Sequence, residues 1–243
     1  MGDADDRIIQ LAKASPIASY RWKNRGRAPV GYIQGMAIAF AAACRDLAAH
    51  EEIAQVVAGD LLGNADRDVL DWYAPELAAL DIDLTSQADR LRGVFLVLLG
   101  LGMRESSGKH CEGRDMSAQN VTAETAEAGL FQVSHNSVGS HPALPILIAR
   151  FEGHEDLLTT FDEGVHCSAS SWQDWGDGPG VAFQALTKQC PEFAVFYAAV
   201  LLRHARKHWG PINRKEAEVT ADGAALLAAV RDAVAAQTAG GAK

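Results

Sequence analysis

Two uninterrupted apolar runs, residues 35–44 and 94–103, constrain the fold more than any other feature of this sequence. Each is much shorter than the ~18 to 20 apolar residues of a membrane-spanning helix, so we expect each to form a helix inside a globular core. Elsewhere apolar residues recur at intervals of three and four, and the alternation that is typical of strands is scarce. The sequence therefore predicts a mostly helical chain with no membrane span.

Helical periodicity, often beginning near a capping residue or a proline, predicts the main helices. The predicted helices cover residues 8–12, 32–48, 66–80, 86–103, 142–151, 179–189, 193–208 and 221–236. Residues 15–29, rich in basic and aromatic side chains, interrupt this pattern, and so do residues 104–139, where Gly, Ser, Asn, Asp and Thr dominate. An irregular segment of about 35 residues in a compact domain is usually functional.

The net charge of the chain argues against some classes of binding partner. The formal net charge is −9, whereas nucleic-acid binding requires a basic face, so we expect no nucleic-acid partner. The same charge disfavours purely electrostatic binding to an anionic membrane or cell wall. The first ten residues are acidic where a secretory signal would be basic and then apolar, so no signal peptide is visible.

The cysteines and histidines give no metal-binding pattern. Cys44, Cys111, Cys167 and Cys190 lack C-x-x-C spacing, and His204 and His208 lack the intervening Glu of a zinc-protease helix. We therefore expect no metal and no cofactor. The four cysteines can pair in three ways in an oxidising compartment or remain thiols, and the sequence leaves this open.

Glu105 is the candidate catalytic residue. It directly follows the apolar run 94–103, and Ser106, Ser107 and Gly108 should end the helix there. Burial disfavours ionisation of a carboxyl group, and so does the partial negative charge of a helix C-terminus, so both raise its pKa. A carboxylic acid that is protonated near neutral pH is what general-acid cleavage of a glycosidic bond requires.

Two sequence motifs follow one another along the chain, and the first of them contains Glu105. The first is Arg-Glu-Ser-Ser-Gly-Lys at 104–109, and the second is Ala-Gly-Leu-Phe-Gln-Val at 128–133. Together they resemble the lysozyme-like superfamily, in particular goose-type lysozymes and lytic transglycosylases, which have a Glu-Ser step after a buried helix and then a Gly-Leu-Met-Gln run. Phe131 replaces the usual Met here, and the spacing between the motifs is longer than is typical of the family.

The resemblance implies roles for individual residues. Glu105 would be the catalytic acid, and Ser106 would hydrogen-bond near the acid or the sugar. Substrate would also contact a set of residues that line the cleft, namely Gly129, Leu130, Phe131, Gln132 and, on a late helix, Tyr197. Further sugar subsites could use exposed aromatic or amide side chains, for which the candidates are Tyr20, Trp22, Tyr32, Gln34, Trp172 and Trp175.

A second carboxylate would decide the mechanism. Goose-type lysozymes usually have an aspartate just after the second motif, but this chain has Ser134. The remaining candidates lie in the irregular segment and are Asp115, Glu124 and Glu127. Lytic transglycosylases need only one acid, because the substrate supplies its own nucleophile and closes a 1,6-anhydro ring. The absence of a clear partner for Glu105 thus favours that route slightly.

The sequence therefore predicts a predominantly helical α+β protein with a lysozyme-like fold and a small irregular or β lobe. Residues 1–84 form an N-terminal helical region packed on a catalytic region, 85–243, in one compact domain. The expected activity is cleavage of β-1,4 bonds in peptidoglycan, in the periplasm or outside the cell. Two alternatives remain open: a chitosan or chitin hydrolase on the same fold, and a non-catalytic glycan-binding or structural protein of a phage or secretion apparatus.

Overall fold

The computed structural model describes residues 3–114 and 122–240, and most of these residues are helical, as predicted. The α-helices are α1 (Asp3–Ala14), α2 (Val30–Ala48), α3 (Glu52–Val57), α4 (Val69–Trp72), α5 (Ala74–Ala78), α6 (Gln87–Ser106), α7 (Ala143–Phe151), α8 (Leu158–Asp162), α9 (Pro179–Gln189), α10 (Pro191–His204), α11 (Gly210–Asn213) and α12 (Ala221–Gly240). Short 3-10 helices cover Pro16–Ser19, His135–Ser140 and Arg206–His208.

The two apolar runs form the central helices. They lie in α2 and α6, which pack against each other and against α10, while α1 and α12 cover the outer side of α2. Residues on both sides of position 84 contribute to the same buried hydrophobic cluster. Within the described ranges, no helix is both long and apolar enough to cross a membrane.

The helix boundaries follow local chemistry, with two departures from the prediction. The α6 helix starts as expected, because the Ser86 hydroxyl accepts a hydrogen bond from the Asp89 amide at 3.1 Å. The helix predicted for residues 66–80 is instead two short helices, α4 and α5, because Pro75 has no amide hydrogen with which to continue the first one. The helix predicted for 193–208 ends at His204, after which Ala205 leaves helical geometry.

The strands lie outside the lobe in which we expected them. The two-stranded antiparallel sheet consists of β1 (Arg21–Trp22) and β2 (Gly26–Arg27), in the basic and aromatic stretch near the N-terminus. In the middle lobe, the described residues contain one isolated bridge, between Ala128 and Val133. The described part of that lobe is therefore irregular rather than β, and the residues between its two bridge partners form a tight turn.

A buried ion pair ties the loop after α3 to α10. The Arg203 guanidinium donates to both Asp68 carboxylate oxygens, at 2.9 and 3.1 Å, and both side chains are almost fully buried. Arg203 also donates to the backbone carbonyls of Val57, Gly59 and Asp60, and Asp68 accepts from the amides of Leu62 and Leu70. The pair is therefore extensively hydrogen-bonded, which a buried ion pair needs in order to be tolerated.

We expect Asp68→Asn to lower the free energy of unfolding by roughly 3 kcal/mol, because it leaves the Arg203 charge buried without a counter-charge. The asparagine oxygen can still cap α4, whereas its amide nitrogen faces the Leu62 amide and the Arg203 guanidinium, so the change removes two accepted hydrogen bonds together with the charge. Chemical denaturation monitored by circular dichroism measures the effect. The control is Asp66→Asn, which removes an exposed partner of Lys207 and should cost less than about 1 kcal/mol. Equal losses in the two variants would contradict this account.

Candidate active site

Glu105 lies in the last turn of α6, and the helix ends immediately after it, as the sequence predicts. Ser107 and Gly108 both adopt left-handed backbone angles, with φ values of 57° and 77°. Their amides donate back to the carbonyls of Met103 and Gly102, at 3.1 and 3.2 Å. This closure is the usual way in which a helix end satisfies its last carbonyls. It fixes the backbone that carries the Glu105 carboxyl group.

Tyr32 of α2 holds this end of α6 in place. Its side chain is fully buried, and its hydroxyl donates to the Leu99 carbonyl at 2.7 Å. A Cβ atom on Gly102 would lie 2.5 Å from the Tyr32 hydroxyl, and one on Gly108 would lie 2.9 Å from the ring. Only glycine permits this close approach at the two positions. The last two turns of α6 are thus packed directly against α2.

The pKa of the Glu105 carboxyl group is raised from 4.5 to about 7, mainly by burial and also by the nearby charge of Glu127. The positive charges of Arg25, Arg104 and Arg214 oppose this effect without reversing it. The direction agrees with the expectation from the apolar helix end. Near neutral pH a substantial fraction of the Glu105 side chains therefore carries a proton.

The three arginines do not neutralise Glu105, because each has other partners. Arg104 and Arg214 both form ion pairs with Glu216, each at 2.9 Å. Arg25 donates to the backbone carbonyl of Arg104. Among the described residues, no cationic side chain lies within ion-pairing distance of Glu105. The raised pKa of Glu105 is therefore not cancelled by an ion pair with a described cation.

One of the three predicted second carboxylates acts on Glu105. Glu127 is exposed, and its charge contributes to the raised pKa of Glu105. Hydrogen bonds to its own backbone and to Thr122 lower the pKa of Glu124, whose other charged neighbour is His135. Asp115 lies outside the described residues. Glu127 is thus the candidate that the structure couples to the acid.

The second motif forms a tight turn whose apolar side chains point into the core. Leu130 and Phe131 are fully buried, and the Phe131 carbonyl accepts a hydrogen bond from the Trp209 indole at 2.7 Å. Gly129 has a φ of 75°, and a Cβ atom there would lie 2.8 Å from the Thr187 carbonyl oxygen. The close approach that this glycine permits is therefore to the backbone of α9.

The polar groups of both motifs bond within the protein. The Gln132 amide donates to the Gly129 carbonyl at 3.0 Å, and the Ser106 hydroxyl donates to the Gly102 carbonyl at 3.0 Å. Both side chains are buried. The Gly129 amide donates to the Glu112 carbonyl at 2.8 Å, which holds the turn beside the segment that follows Glu105. Because these polar groups are bonded to backbone carbonyls, they stabilise the local structure of the two motifs.

Tyr197 belongs to the core. Its side chain is fully buried, its hydroxyl is 2.9 Å from the Ser137 hydroxyl, and its ring packs on Phe183 and Phe193. The two tryptophans of the insert, Trp172 and Trp175, are 37% and 45% exposed. The other aromatic and amide candidates for subsites are engaged or buried: Tyr20 and Gln34 donate to Glu218 and Glu163, and Trp22 and Tyr32 are buried.

Two features of the structure were not predicted. A disulfide joins Cys111 to Cys167, which are separated by 56 residues, and it leaves Cys44 and Cys190 as thiols. Burial and the charge of Asp156 raise the pKa of Glu192, at the start of α10, to about 7 as well. Sequence reasoning missed Glu192 because no apolar run or motif precedes it. A raised pKa alone therefore does not distinguish Glu105, whereas its place at the end of a buried helix, inside the first of the two motifs, does.

Comparison with known proteins adds no relative: no protein-family profile, curated protein or solved structure matches this chain. The assignment of a function therefore rests on the residues and geometry described above.

We expect stability to fall as pH rises from about 4.5 to about 7, because Glu105 and Glu192 keep their protons longer in the folded state than in the unfolded state. The protonated carboxyl groups contribute fully to folding stability below the unfolded-state pKa. This contribution is lost as pH rises through the folded-state pKa. Glu105→Gln cannot ionise, so between about pH 4 and pH 8 its stability should improve relative to wild type by roughly 1 to 3 kcal/mol, after allowance for solvent screening.

Urea denaturation at each pH measures this difference. Glu192→Gln provides a comparison with the same chemical change and a similar pKa, and Glu155→Gln, at an exposed site, provides the control that should show no pH-dependent gain. A Glu105→Gln profile parallel to that of wild type would mean that the carboxyl group titrates normally.

Proposed function

We propose that this protein cleaves β-1,4 glycosidic bonds in an N-acetylhexosamine polymer, namely peptidoglycan, with Glu105 as the general acid. The observation that carries the proposal is the position of this carboxyl group: it lies at the end of the buried helix α6, inside the first of the two motifs, and its pKa is raised to about 7. The resemblance of the two motifs to the lysozyme-like superfamily supports the choice of a glycan substrate.

The chemistry assigned to Glu105 is proton transfer to the glycosidic oxygen as the bond to the sugar breaks. A carboxyl group with a pKa near the working pH is suited to give a proton in this step and to take one in the next. The Glu105 backbone is fixed by the closure of α6 and by the contact with Tyr32. A fixed position reduces the orientational cost of reaching the transition state.

Two routes can complete the reaction, and the charges near Glu105 bear on the choice. In a lytic transglycosylase, the substrate closes a 1,6-anhydro ring and Glu105 takes back a proton. In a lysozyme, a second carboxylate activates water or stabilises the sugar cation. Of the three candidates that the sequence offers for this second role, Glu127 is the one whose charge influences the pKa of Glu105. Glu127 is therefore the candidate for the second carboxylate if the reaction is hydrolytic.

A chitosan or chitin hydrolase is the second candidate, and the net charge of −9 favours it. Chitosan is cationic, whereas peptidoglycan carries negative charge, so an acidic protein attracts the first polymer and repels the second. The same acid and the same second carboxylate would serve either polymer.

We expect Glu105→Gln to reduce the rate of glycan cleavage at least ~10³-fold while the fold is retained, since general-acid catalysis contributes up to about 10⁴-fold. Glu192→Gln is the matched control, because it removes a carboxyl group with the same raised pKa and should keep wild-type activity. The assay digests purified peptidoglycan and identifies the products by mass spectrometry.

The products separate the alternatives. Anhydro-muramyl ends indicate a transglycosylase, and ordinary reducing ends indicate a hydrolase. Release of sugars from chitosan but not from peptidoglycan would establish the second candidate function. No cleavage of either polymer by the wild-type protein, together with unchanged glycan binding in Glu105→Gln, would refute the enzymatic proposal and leave the non-catalytic glycan-binding alternative.

We also expect the rate of glycan cleavage to fall as pH rises through about 7, because ionised Glu105 cannot act as an acid.

Glu127→Gln removes a negative charge and should lower the pKa of Glu105, whereas Arg214→Gln removes a positive charge and should raise it. Titration of the Glu105 carboxyl carbon by ¹³C NMR measures both shifts directly. Glu124→Gln, which removes a carboxylate that does not act on Glu105, should leave the titration unchanged. Shifts of the opposite sign would contradict the description of the site.

A further inference from the structure

His110 is placed as a metal-ligating histidine would be. Its side chain is fully buried, and its Nδ1 atom lies 3.0 Å from the carbonyl oxygen of Lys188. A carbonyl oxygen can only accept a hydrogen bond, so Nδ1 carries the proton and donates it. In the neutral ring, the Nε2 atom then carries an unshared electron pair that can bind a metal ion. A backbone carbonyl on Nδ1 that fixes the ring and its tautomer in this way is the usual partner of a zinc-bound histidine.

Other electron-rich atoms surround Nε2. The Cys167 sulfur is 3.8 Å from it, and a carboxylate oxygen of Asp162 is 3.5 Å from it. Ligand atoms of His110, Cys111 and Cys167 all lie within 4.8 Å of one another. A tetrahedral zinc ion with bonds of about 2.0 to 2.3 Å holds its ligands about 3.3 to 3.8 Å apart. The spacings of the Cys167 sulfur and the Asp162 oxygen from Nε2 match those of such a site.

The two sulfurs are joined as a disulfide in this structure, so their thiolates become available only after reduction. The Cα atoms of Cys111 and Cys167 are 6.0 Å apart, and rotation of the two side chains lets the sulfurs separate to the tetrahedral spacing. Trp172 packs on the His110 ring, with 5.6 Å between ring centroids, and so covers the site on one side. The Asp162 side chain is 62% exposed, which gives an ion a path of entry.

We propose that the reduced protein binds one Zn²⁺ ion through Nε2 of His110, the thiolates of Cys111 and Cys167, and the carboxylate of Asp162. Two thiolates and an imidazole select zinc over calcium or magnesium, which prefer oxygen ligands. The disulfide and the zinc site exclude each other, because they use the same sulfurs. Either of them joins the segment that follows Glu105 to residues 162–167, so this cross-link persists in oxidising and reducing surroundings.

A phosphine can reduce the Cys111–Cys167 disulfide to two thiols in a balanced reaction. The phosphine gives two electrons to the disulfide and takes an oxygen atom from water to become a phosphine oxide, while the two sulfurs become thiols. Zinc then forms two Zn–S bonds and displaces the two thiol protons into the solvent. Binding should therefore release about two protons per ion, which calorimetry in buffers of different ionisation enthalpy measures.

The test titrates the full chain with Zn²⁺ by isothermal calorimetry, once after reduction by the phosphine and once in the disulfide form. We expect one ion per reduced chain with a Kd below about 1 µM, and at least ~100-fold weaker binding by the oxidised chain. Co²⁺ in place of zinc should give thiolate-to-cobalt charge-transfer absorption and the intense visible bands of a tetrahedral site. Zinc should also raise the Tm of the reduced chain but not that of the oxidised chain.

Variants separate this site from adventitious binding. Cys167→Ser should abolish submicromolar binding, whereas Cys190→Ser and Cys44→Ser, which remove the two remaining thiols, should leave it unchanged. Asp162→Ala changes an exposed side chain, so it should fold normally and weaken binding about 10-fold. No stoichiometric binding by the reduced wild-type chain, binding unchanged by Cys167→Ser, or octahedral cobalt bands would each overturn the proposal. None of these outcomes depends on glycan cleavage.

Discussion

The contact between the end of α6 and the Tyr32 side chain of α2 is the constraint on which the proposed site depends. Gly102 and Gly108 leave room for the tyrosine ring, and the tyrosine hydroxyl bonds to the α6 backbone. This contact packs the last turns of the helix against α2, and burial at this helix end makes the Glu105 carboxyl group costly to ionise. A larger residue at either glycine would clash with the Tyr32 side chain and displace this end of α6.

The charges around Glu105 modify this effect but do not create it. Three arginines favour the ionised form and Glu127 opposes it, yet burial has the largest influence on the pKa. Arg104 and Arg214 both bind Glu216, which keeps their charge near the site without neutralising Glu105. An ion pair with either arginine would lower the pKa and leave a carboxylate unable to give a proton at neutral pH. The site therefore keeps the Glu105 carboxyl group partly protonated near neutral pH, at the expense of some folding stability.

The irregular segment after α6 is held by a few specific contacts. The Gly129 amide bonds to Glu112, the side chains of Leu130 and Phe131 are anchored in the core, and Cys111 is linked to Cys167. Most residues of the second motif thus act through the backbone that they position. An irregular segment that is anchored at separate points can place polar groups beside a rigid helix end without regular secondary structure of its own.

The sequence by itself determined the central helices, the cap at Ser86 and the end of α6, because each depends on neighbours within a few positions along the chain. The apolar run before Glu105 also predicted the direction of its pKa shift, although the burial that produces the shift comes from tertiary packing. The sequence did not determine the break between α4 and α5, although Pro75 signals it, because the apolar period continues across the proline. Only the tertiary structure decided which carboxylate acts on Glu105, which cysteines pair, and that Tyr197 and Gln132 bond inside the protein. These outcomes depend on contacts between residues that are distant in the chain, and a single sequence carries no local signal for such contacts.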